Sequence, residues 1–334
     1  MKRIKMIDVA RAAGVSAMTV SRALKRDGRI SPETRRLILQ KVDELGYVPD
    51  RLAGSFSSQK SGFVSVLVPS LNNPHFAETA SGLQEILNPA GLQLLLGYTG
   101  YSAAQAEYLI EMMLERRPEA LIVTYDSHTP KARKLLEQSG IPVVEIWEMP
   151  QHPIQHVVGF SNRKASAEMT AHLITSGRRN IAYIGECDDS GTRGAERRKG
   201  FRDAMRRAGL DPSRQVALAA PPINMMQGRE ALRTILERWP ETDAIMCVSD
   251  PAAFGALTEC RALGRRVPED IAVAGFGDFE ISRCSIPPIS TIVVDALDIG
   301  RQTGQLVLRL LSEKTEQSVY LPIAARPEIR QSSG

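Results

Sequence analysis

The segment IDVARAAGVSAMTVSRAL at residues 7–24 decides the fold of the amino-terminal part of the chain. Its first half carries an apolar stripe at helical spacing, formed by Ile7, Val9, Ala10 and Ala13. Gly14 supplies the backbone freedom that a tight turn needs, and Ser16 is placed to cap a second helix that begins at Ala17. That helix contributes three apolar side chains to a core, Val20, Ala23 and Leu24. Two short helices joined by such a turn predict a helix-turn-helix.

The outward side of the second helix combines hydroxyl groups with one arginine. The positions that we expect to face a partner are Ser16, Ala17, Met18, Thr19, Ser21 and Arg22. Hydroxyl groups can donate hydrogen bonds to phosphate oxygens, and an arginine can bind O6 and N7 of guanine with both arms of its guanidinium. This face therefore suits double-stranded DNA. Ala17 and Met18 have no strong hydrogen-bonding code, so the operator sequence cannot be predicted from them.

Charge is distributed unevenly along the 334 residues. Residues 1–60 contain 13 lysines and arginines against 6 acidic residues, whereas residues 61–334 contain 29 against 32. A basic segment on a near-neutral body favours a polyanionic partner, because neutralised phosphates release their condensed counterions. The charge alone would equally suit a merely solvated surface, so the prediction of DNA binding depends on the helix-turn-helix as well.

A third helix is predicted between Pro32, which suits the first helical position after the cap Ser31, and Leu45. The segment that follows, residues 48–60, has a proline that stops the helix and is otherwise too small and polar to fold by itself. The sequence thus predicts a helix-turn-helix domain over residues 1–47, followed by a linker.

The segment at 7–24, together with LGYVPDRLA at 45–53, resembles the head of the lactose-repressor/galactose-repressor family. The resemblance continues to the carboxyl terminus. In that family the linker, here residues 48–60, becomes a hinge helix when two subunits meet on DNA, and an apolar side chain opens the central minor-groove step. The resemblance implies that three linker residues contact DNA, namely Arg51, Ala53 and Phe56.

Two residues depart from the family's pattern in this region. Phe56 occupies the position usually held by leucine, so that an aromatic side chain would act as the wedge. Lys5 stands where many relatives have a threonine that caps the first helix. The loss of that cap predicts a weaker start of the first helix.

From residue 62 onward, apolar runs typical of strands alternate with amphipathic helical stretches. The alternation begins with the run at 63–68 and restarts at about residue 165. It predicts parallel sheets with helices on both faces, and its repetition predicts two doubly wound α/β lobes. The two lobes resemble periplasmic sugar-binding proteins, and the family uses this architecture, here over residues 61–334, to bind its effector. The expected division is a first lobe at about 61–160 plus 292–320 and a second lobe at about 161–290 plus 321–330.

Sequence signatures of catalysis, metal binding and membrane insertion are missing. The sequence contains no G-x-S-x-G, no G-x-x-x-x-G-K-[ST], no H-E-x-x-H and no G-x-G-x-x-G between a strand and a helix. We therefore expect no enzyme, no cofactor and no metal. The four cysteines are Cys187, Cys247, Cys260 and Cys284. None is near another in the sequence, which favours buried reduced thiols over a redox site. The basic first residues, without an apolar run suited to a signal peptide or a membrane span, predict a cytoplasmic protein.

Strand ends and the loops after them supply candidate effector-binding residues for the cleft that we expect between the lobes. The candidates are Ser70, Phe76, Tyr98, Thr124, His128, Glu145, Asn162, Arg193, Arg197, Ser249 and Asp278. His128 also suits an ordinary polar loop side chain, and Glu145 a structural carboxylate of a buried strand. By the resemblance, Arg197 takes the position at which the family's arginine reaches into the effector cleft.

The stretch GFGD at 275–278 departs from the pattern of many relatives, which carry Gly-Tyr/Phe-Asp-Asp or -Asn. Gly277 replaces the first aspartate. A carboxylate at that position would repel an anionic ligand in a closed cleft, so its loss beside a retained Arg197 favours a ligand with its own carboxylate. Stretches such as PSLNNPHFAE at 69–78 resemble the gluconate-utilisation repressors of the family. We therefore expect gluconate as the effector, with 2-ketogluconate or 6-phosphogluconate as alternatives.

The resemblance also implies a homodimer on a pseudo-palindromic DNA operator. Effector binding would change the angle between the lobes and release the DNA, although the family also contains members whose ligand strengthens DNA binding. The stretch RPEIRQSSG at 326–334 contains no leucine heptad, which favours a dimer over a tetramer. A solute-binding protein or an enzyme with the same two-lobe fold is the alternative from a different class.

Overall fold

The computed structural model describes residues 4–24, 29–48, 61–124, 128–187, 192–218, 221–313 and 317–334. The chain separates into two compact units. Residues 1–61 form the first unit, here called the head, and residues 62–334 form the second, here called the body.

The described part of the head consists of three helices around a small apolar core. The helices are α1 (Met6–Ala12), α2 (Ala17–Leu24) and α3 (Pro32–Leu45). Ser31 caps α3 by accepting a hydrogen bond from the Thr34 amide at 3.2 Å, and Gly46 ends it with a left-handed φ of 61°. Ile7, a member of the predicted apolar stripe, is 52% exposed. The buried core consists of Val9, Ala10, Ala13, Val20, Ala23, Ile38 and Tyr47.

Helix α1 begins without a capping side chain, as the lysine at position 5 predicts. The Lys5 side chain makes no capping hydrogen bond. Instead, the Asp8 carboxylate in the first turn accepts a hydrogen bond from the Lys5 amide at 2.9 Å. This bond satisfies one of the backbone donors at the helix start, and the negative charge also suits that end of the helix dipole.

The first lobe of the body is built on a parallel sheet. Its strands are β1 (Phe63–Val68), β2 (Gln93–Tyr98), β3 (Leu121–Thr124), β4 (Val143–Ile146), β5 (His156–Gly159) and β11 (Tyr320–Pro322). They lie in the order β11-β5-β4-β3-β1-β2. The helices of this lobe are α4 (Pro74–Leu87), α5 (Ala103–Leu114), α6 (Pro130–Glu137) and α12 (Ala296–Ser312), and a short 3₁₀ turn at Asn88–Ala90 follows α4.

The second lobe is built on a smaller parallel sheet. Its strands are β6 (Ile181–Glu186), β7 (Gln215–Leu218), β8 (Ala244–Cys247) and β9 (Ala272–Ala274), in the order β7-β6-β8-β9. An antiparallel pair, β10 (Thr291–Val294) and β12 (Ala325–Glu328), extends this lobe through bridges such as that between Ala274 and Ser290. The helices are α7 (Asn162–Thr175), α8 (Arg193–Arg207), α9 (Met225–Arg238), α10 (Asp250–Ala262) and α11 (Glu280–Cys284).

The strands near the lobe boundaries differ from the expected division by a few residues. Residues 292–294, expected in the first lobe, belong to β10 and pair in the second lobe. Residues 321–322, expected in the second lobe, belong to β11 and pair with β5 in the first. The described chain therefore passes between the lobes after β5, after β10 and after β11. These three connections are here called the crossing segments.

Pairs of helices in the body approach each other closely at glycine residues. A Cβ atom on Gly82 of α4 would lie 2.3 Å from the Leu297 carbonyl oxygen of α12. A Cβ atom on Gly200 of α8 would lie 2.1 Å from the Arg163 carbonyl oxygen of α7, and Gly228 of α9 approaches α10 in the same way. A side chain at any of these positions would force the two helices apart.

The expectation of buried thiols holds for only two of the four cysteines. Cys247 and Cys260 are buried, and burial raises the pKa of the Cys260 thiol to about 12. Cys187, just after β6, and Cys284, at the end of the short α11, are exposed. In the described ranges, no cluster of His, Cys, Asp and Glu is arranged for a metal ion. No helix within those ranges is long and apolar enough to cross a membrane.

Candidate functional site

Helix α2 and the serine that caps it leave three of the six predicted DNA-facing side chains exposed. Ser16 and Arg22 are exposed and Met18 is 64% exposed, whereas Thr19 and Ser21 are partly buried. Ala17 differs from the prediction, because it packs against the core of the head and leaves only part of its surface for a partner. The linker residues predicted to contact DNA lie outside the described residues, and they are Arg51, Ala53 and Phe56.

Ser16 and Thr19 form a hydrogen-bonded pair at the start of α2. Ser16 Oγ accepts a hydrogen bond from the Thr19 amide at 3.1 Å, which is the predicted helix cap. The two hydroxyl oxygens lie 2.8 Å apart, so that one hydroxyl donates to the other. The second hydroxyl proton of the pair stays available for a phosphate oxygen.

A cleft of about 220 Å³ lies between the two lobes of the body, at the carboxyl ends of their strands. First-lobe residues in its wall include Ser70, Asn72, Asn73, His75, Phe76, Tyr101 and Trp147. Second-lobe residues include Glu186, Arg193, Arg197, Asn224, Ser249, Phe276, Gly277 and Phe279. The cleft therefore combines aromatic rings with a small number of polar and charged groups, as small-molecule sites do.

Five of the candidate effector-binding residues come together in this cleft, namely Ser70, Phe76, Arg193, Arg197 and Ser249. Ser70 follows β1, and Phe76 lies in the first turn of α4, which is capped by Asn73 through the His75 amide at 3.0 Å. Ser249 follows β8 and caps α10. The two arginines lie in the first turns of α8. All five residues lie just after the end of a strand or in the first turns of the helix that comes next.

Arg197 is held in one orientation by several contacts. Its Nε donates a hydrogen bond to Asn162 Oδ1 at 2.7 Å, and its Nη1 donates to the Val248 carbonyl oxygen at 2.8 Å. The guanidinium carbon lies 3.7 Å from the centroid of the Phe276 ring. Nη2 makes no hydrogen bond to the described residues. Burial, and next the charge of Arg193, lower the pKa of Arg197 to about 10, so the side chain stays cationic at neutral pH.

Asn162 lies behind the cleft wall and is fully buried. Its amide nitrogen donates to the Trp147 carbonyl oxygen at 2.9 Å and to Glu148 Oε2 at 2.8 Å. These two bonds orient the amide so that its oxygen faces Arg197. Asn162 therefore positions the arginine and does not itself line the cleft.

Aromatic side chains form the apolar part of the cleft. The Arg193 guanidinium carbon lies 5.2 Å from the centroid of Phe76, whose ring meets Trp147 edge-on at 5.6 Å. Trp147 Nε1 donates to Thr79 Oγ1 at 3.3 Å, so the buried indole has a polar partner. Trp147 is absent from the residues predicted from sequence, although it directly follows β4 and the same strand-end rule would have found it.

Two candidates at strand ends of the first sheet do not line the cleft. Tyr98 ends the edge strand β2 and is 53% exposed. Thr124 is buried, and its Oγ1 donates a hydrogen bond to the Leu67 carbonyl oxygen at 3.0 Å. The hydroxyl of Thr124 thus ties β3 to β1, which is a structural role.

His128 and Glu145 form a buried pair away from the cleft. His128 Nε2 lies 3.0 Å from Glu145 Oε1, and the Glu145 side chain is fully buried. The other carboxylate oxygen accepts a hydrogen bond from the Ile154 amide at 2.6 Å. Both residues are absent from the cleft wall, so the geometry favours the structural alternative that the sequence leaves open.

Asp278 turns away from the cleft and binds two arginines. Its carboxylate accepts hydrogen bonds from Arg283 and from Arg330, the latter at 2.6 Å. Burial by itself would raise the pKa of Asp278, but the two arginines outweigh it and hold the pKa below its ordinary value. The residue is therefore ionised, paired and not part of the cleft wall.

The comparisons with known proteins define the class of protein. Residues 5–50 match the model for bacterial regulatory proteins of the lacI family, and residues 170–333 match that for a periplasmic binding protein-like domain. The chain belongs to the LacI family of DNA-binding transcriptional regulators.

One similar relative is the HTH-type transcriptional regulator GntR of Escherichia coli strain K12. The two are 36% identical over 318 residues, which cover 95% of this chain and 94% of that protein. A LacI family transcriptional regulator from Silicibacter pomeroyi is 52% identical, with a TM-score of 0.77 over 81% of this chain and 98% of its own. A second LacI family protein from that organism is 31% identical, with a TM-score of 0.91. The match covers 98% of this chain and 99% of that one. These relatives are regulators and not enzymes.

Proposed function

We propose that this regulator represses genes for the catabolism of sugar acids and leaves its operator when a small anionic effector binds between the lobes. Gluconate is the proposed effector, with 2-ketogluconate and 6-phosphogluconate as alternatives from the same class. The observation that carries the proposal is Arg197, an oriented cation in the cleft wall that has a nitrogen without a partner among the described residues.

Charge in the cleft favours an anion. Burial disfavours the charged form of Arg197, and a bound carboxylate would offset that cost by placing an opposite charge beside it. Arg193 adds a second positive charge to the same wall, and Glu186 supplies a negative one. Gly277, at the position of the family's first aspartate, adds no carboxylate. Among the described residues of the wall, two guanidinium groups are thus present with one carboxylate, which favours a ligand that carries its own negative charge.

The remaining wall suits a polyhydroxy chain. Side chains with hydrogen-bonding capacity line the cleft, among them Ser70, Asn72, Asn224 and Ser249. Hydroxyl groups of a sugar acid can bind to these groups, while the carbon chain lies against Phe76 and Trp147. The proposed effector thus uses the charged, the polar and the aromatic parts of the site together.

Release of DNA would proceed through the angle between the lobes. In the proposed homodimer, two heads bind the half-sites of a pseudo-palindrome, and linker residues such as Phe56 lie in the central minor groove. Effector binding changes the lobe angle and separates the two linkers. A coupling free energy of about 1–3 kcal/mol, typical of such systems, would change operator affinity by roughly 5- to 150-fold.

The experiment is a titration of labelled operator DNA followed by fluorescence anisotropy. Pseudo-palindromic fragments from upstream of the protein's own gene and its neighbours are titrated at fixed salt, with and without millimolar gluconate, 2-ketogluconate or 6-phosphogluconate. Glucose at the same concentration is the uncharged control, and Arg197→Ala is the control variant. We expect one acid to weaken specific binding of the wild type, while glucose has no effect and Arg197→Ala no longer responds.

Two results would contradict the proposal in different ways. Specific binding that none of the acids changes would remove the proposed effector class and leave the regulator. A neutral sugar that releases the DNA as effectively as gluconate would overturn the charge argument.

A further inference from the structure

A histidine without hydrogen-bond partners lies in the cleft wall. His75, in the first turn of α4, is only 9% exposed, and neither of its ring nitrogens has a hydrogen-bond partner among the described residues. Glu78 Oε2 lies 3.8 Å from Nδ1, beyond hydrogen-bonding distance. Buried polar groups are nearly always paired, so an unpaired ring that lines a ligand cleft points to a partner that the protein does not supply.

Packing fixes the orientation of this ring. The His75 ring centroid lies 4.4 Å from that of Phe279 and 5.5 Å from that of Trp147. Both aromatic neighbours also line the cleft, one from each lobe. The imidazole is therefore held in place between the lobes. Each of its ring nitrogens exposes less than 1 Å² of surface, so an effector oxygen reaches Nε2 when the cleft adjusts around the ligand.

The room for this ring depends on Gly277. A Cβ atom on Gly277 would lie 3.0 Å from His75 Nε2 and 2.5 Å from Phe279 Cε2. The backbone φ of Gly277 is 128°, a value that side-chain-bearing residues rarely adopt. The imidazole Nε2 thus lies beside the position at which an aspartate would have placed its side chain.

We propose that His75 Nε2 hydrogen bonds to an oxygen of the effector and makes the cleft select a hydroxy acid over a neutral sugar. This inference rests on the proposed function and adds the residue that sets its specificity. An imidazole nitrogen can donate a hydrogen bond to a carboxylate or hydroxyl oxygen, which an ionised aspartate at position 277 cannot do. It also brings no negative charge near the acid that Arg197 binds.

The test is calorimetric titration of the full-length protein with gluconate, 2-ketogluconate, 6-phosphogluconate and glucose. His75→Phe keeps an aromatic ring between Phe279 and Trp147 but has no ring nitrogen. His75→Gln places its terminal amide near the position of Nε2, whereas His75→Asn reaches only the position of Nδ1. Gln84→Ala, on the same helix, exposed and outside the cleft wall, is the matched control.

We expect His75→Phe and His75→Asn to bind the preferred acid at least about 10-fold more weakly than the wild type, because a hydrogen bond to a charged group is lost. His75→Gln should retain most of the affinity, and Gln84→Ala all of it. Operator binding without effector should be the same for Gln84→Ala and the wild type.

The outcomes separate this inference from the proposed function. If the wild type binds an acid and His75→Phe and His75→Asn bind it equally well, the role of His75 is overturned and the proposed function stands. If the wild type binds none of the acids, both are overturned. If His75→Phe fails to fold, the comparison of His75→Gln with His75→Asn decides, and equal affinities of these two overturn the inference.

Discussion

Asn162 Oδ1 lies 2.7 Å from Arg197 Nε, and this hydrogen bond fixes the plane of the guanidinium. The same plane is stacked on Phe276, and a second hydrogen bond runs to the Val248 carbonyl oxygen. A residue outside the cleft thus determines which nitrogen of Arg197 a ligand meets. The planar shape of the guanidinium therefore contributes to the site as well as its charge.

Arg197→Lys should separate geometry from charge. Lysine keeps the positive charge but loses the planar stacking on Phe276 and the fork that reaches Asn162 and Val248. We expect calorimetry to give roughly 10- to 30-fold weaker binding of the sugar acid, since one tenfold step corresponds to about 1.4 kcal/mol. Lys199→Arg, a reverse exchange on the same helix outside the cleft wall, should leave affinity unchanged. Equal affinity of Arg197→Lys and the wild type would reduce the role of Arg197 to charge alone.

Gly277→Ala should destabilise the body. Its new Cβ atom would meet Phe279, and the backbone φ of 128° is strained for any side chain. Strain and overpacking together predict a loss of about 1–3 kcal/mol in the free energy of unfolding, measured with urea. Gly91→Ala is the matched control, because Gly91 also has a positive φ but open space around its Cβ position. If Gly277→Ala loses no more unfolding free energy than Gly91→Ala, the contact between the new Cβ atom and Phe279 does not destabilise the protein.

Asp250→Asn should change how stability depends on pH. Burial raises the pKa of Asp250 from 3.8 to about 6 in the folded protein, although hydrogen bonds from Thr291 and the Phe279 amide oppose this effect. A raised pKa means that folding favours the protonated acid, so this group costs stability as the pH rises from about 4 through 6. A folded-state pKa that is higher by about 2 corresponds to a cost of about 3 kcal/mol.

The difference in unfolding free energy between Asp250→Asn and the wild type, measured in urea at pH 4, 5, 6 and 7.5, should therefore move in favour of the variant by up to about 3 kcal/mol as the pH rises. The absolute offset between the two proteins reflects the exchanged hydrogen bonds and carries no information on the pKa. A difference that does not vary with pH would show that folding leaves the pKa of Asp250 unshifted.

His128→Ala should lower stability without changing effector affinity. The substitution leaves the fully buried carboxylate of Glu145 without its ring partner, and the loss of one member of a buried pair costs roughly 3 kcal/mol. Neither residue lines the cleft, so calorimetric affinity for the acid should equal that of the wild type at a temperature where the variant is folded. Weaker binding by a folded His128→Ala would return this pair to the candidate site.

Arg22→Ala tests the DNA-reading side of α2. Arg22 is exposed, and a bidentate contact to guanine would be worth about 1–3 kcal/mol of discrimination. Anisotropy titrations should show a loss of affinity for the operator, a smaller loss for random DNA and a relaxed preference at one base pair. Equal losses on both DNAs would identify Arg22 as a phosphate contact.

The local elements could be predicted because their signals are local. The head helices follow from a cap, an apolar stripe and a glycine, and α2 extends from Ala17 to Leu24 as its sequence predicts. The local sequence pattern does not indicate every element of the body, and helix α12 and the strands β10, β11 and β12 are among those that it misses. Strand β10 pairs with β12, some thirty residues further along the chain, and β11 returns to β5, and no local pattern encodes such partners.

The candidate site could be predicted only in part for a related reason. The strand-end rule identifies the correct edge of a sheet, which is why it found Ser70 and Ser249. It does not say which strand ends face the other lobe, and so it included Tyr98 and Thr124 as well. Two further candidates lie outside the cleft wall because their carboxylates bind other side chains of the protein. Glu145 pairs with His128, and Asp278 pairs with Arg283 and Arg330.

The glycine contacts between paired helices bear on how a signal would cross the body. Where Gly82 meets α12 and Gly200 meets α7, backbone lies directly against backbone, with no layer of side chains that can slide or repack. A lobe built in this way is stiff and passes a displacement from one side to the other without absorbing it. In the proposed mechanism, deformation would then be concentrated in the crossing segments, which would act as the joints between the lobes. Their stiffness, more than the strength of any contact to the effector, would determine how far the lobes turn.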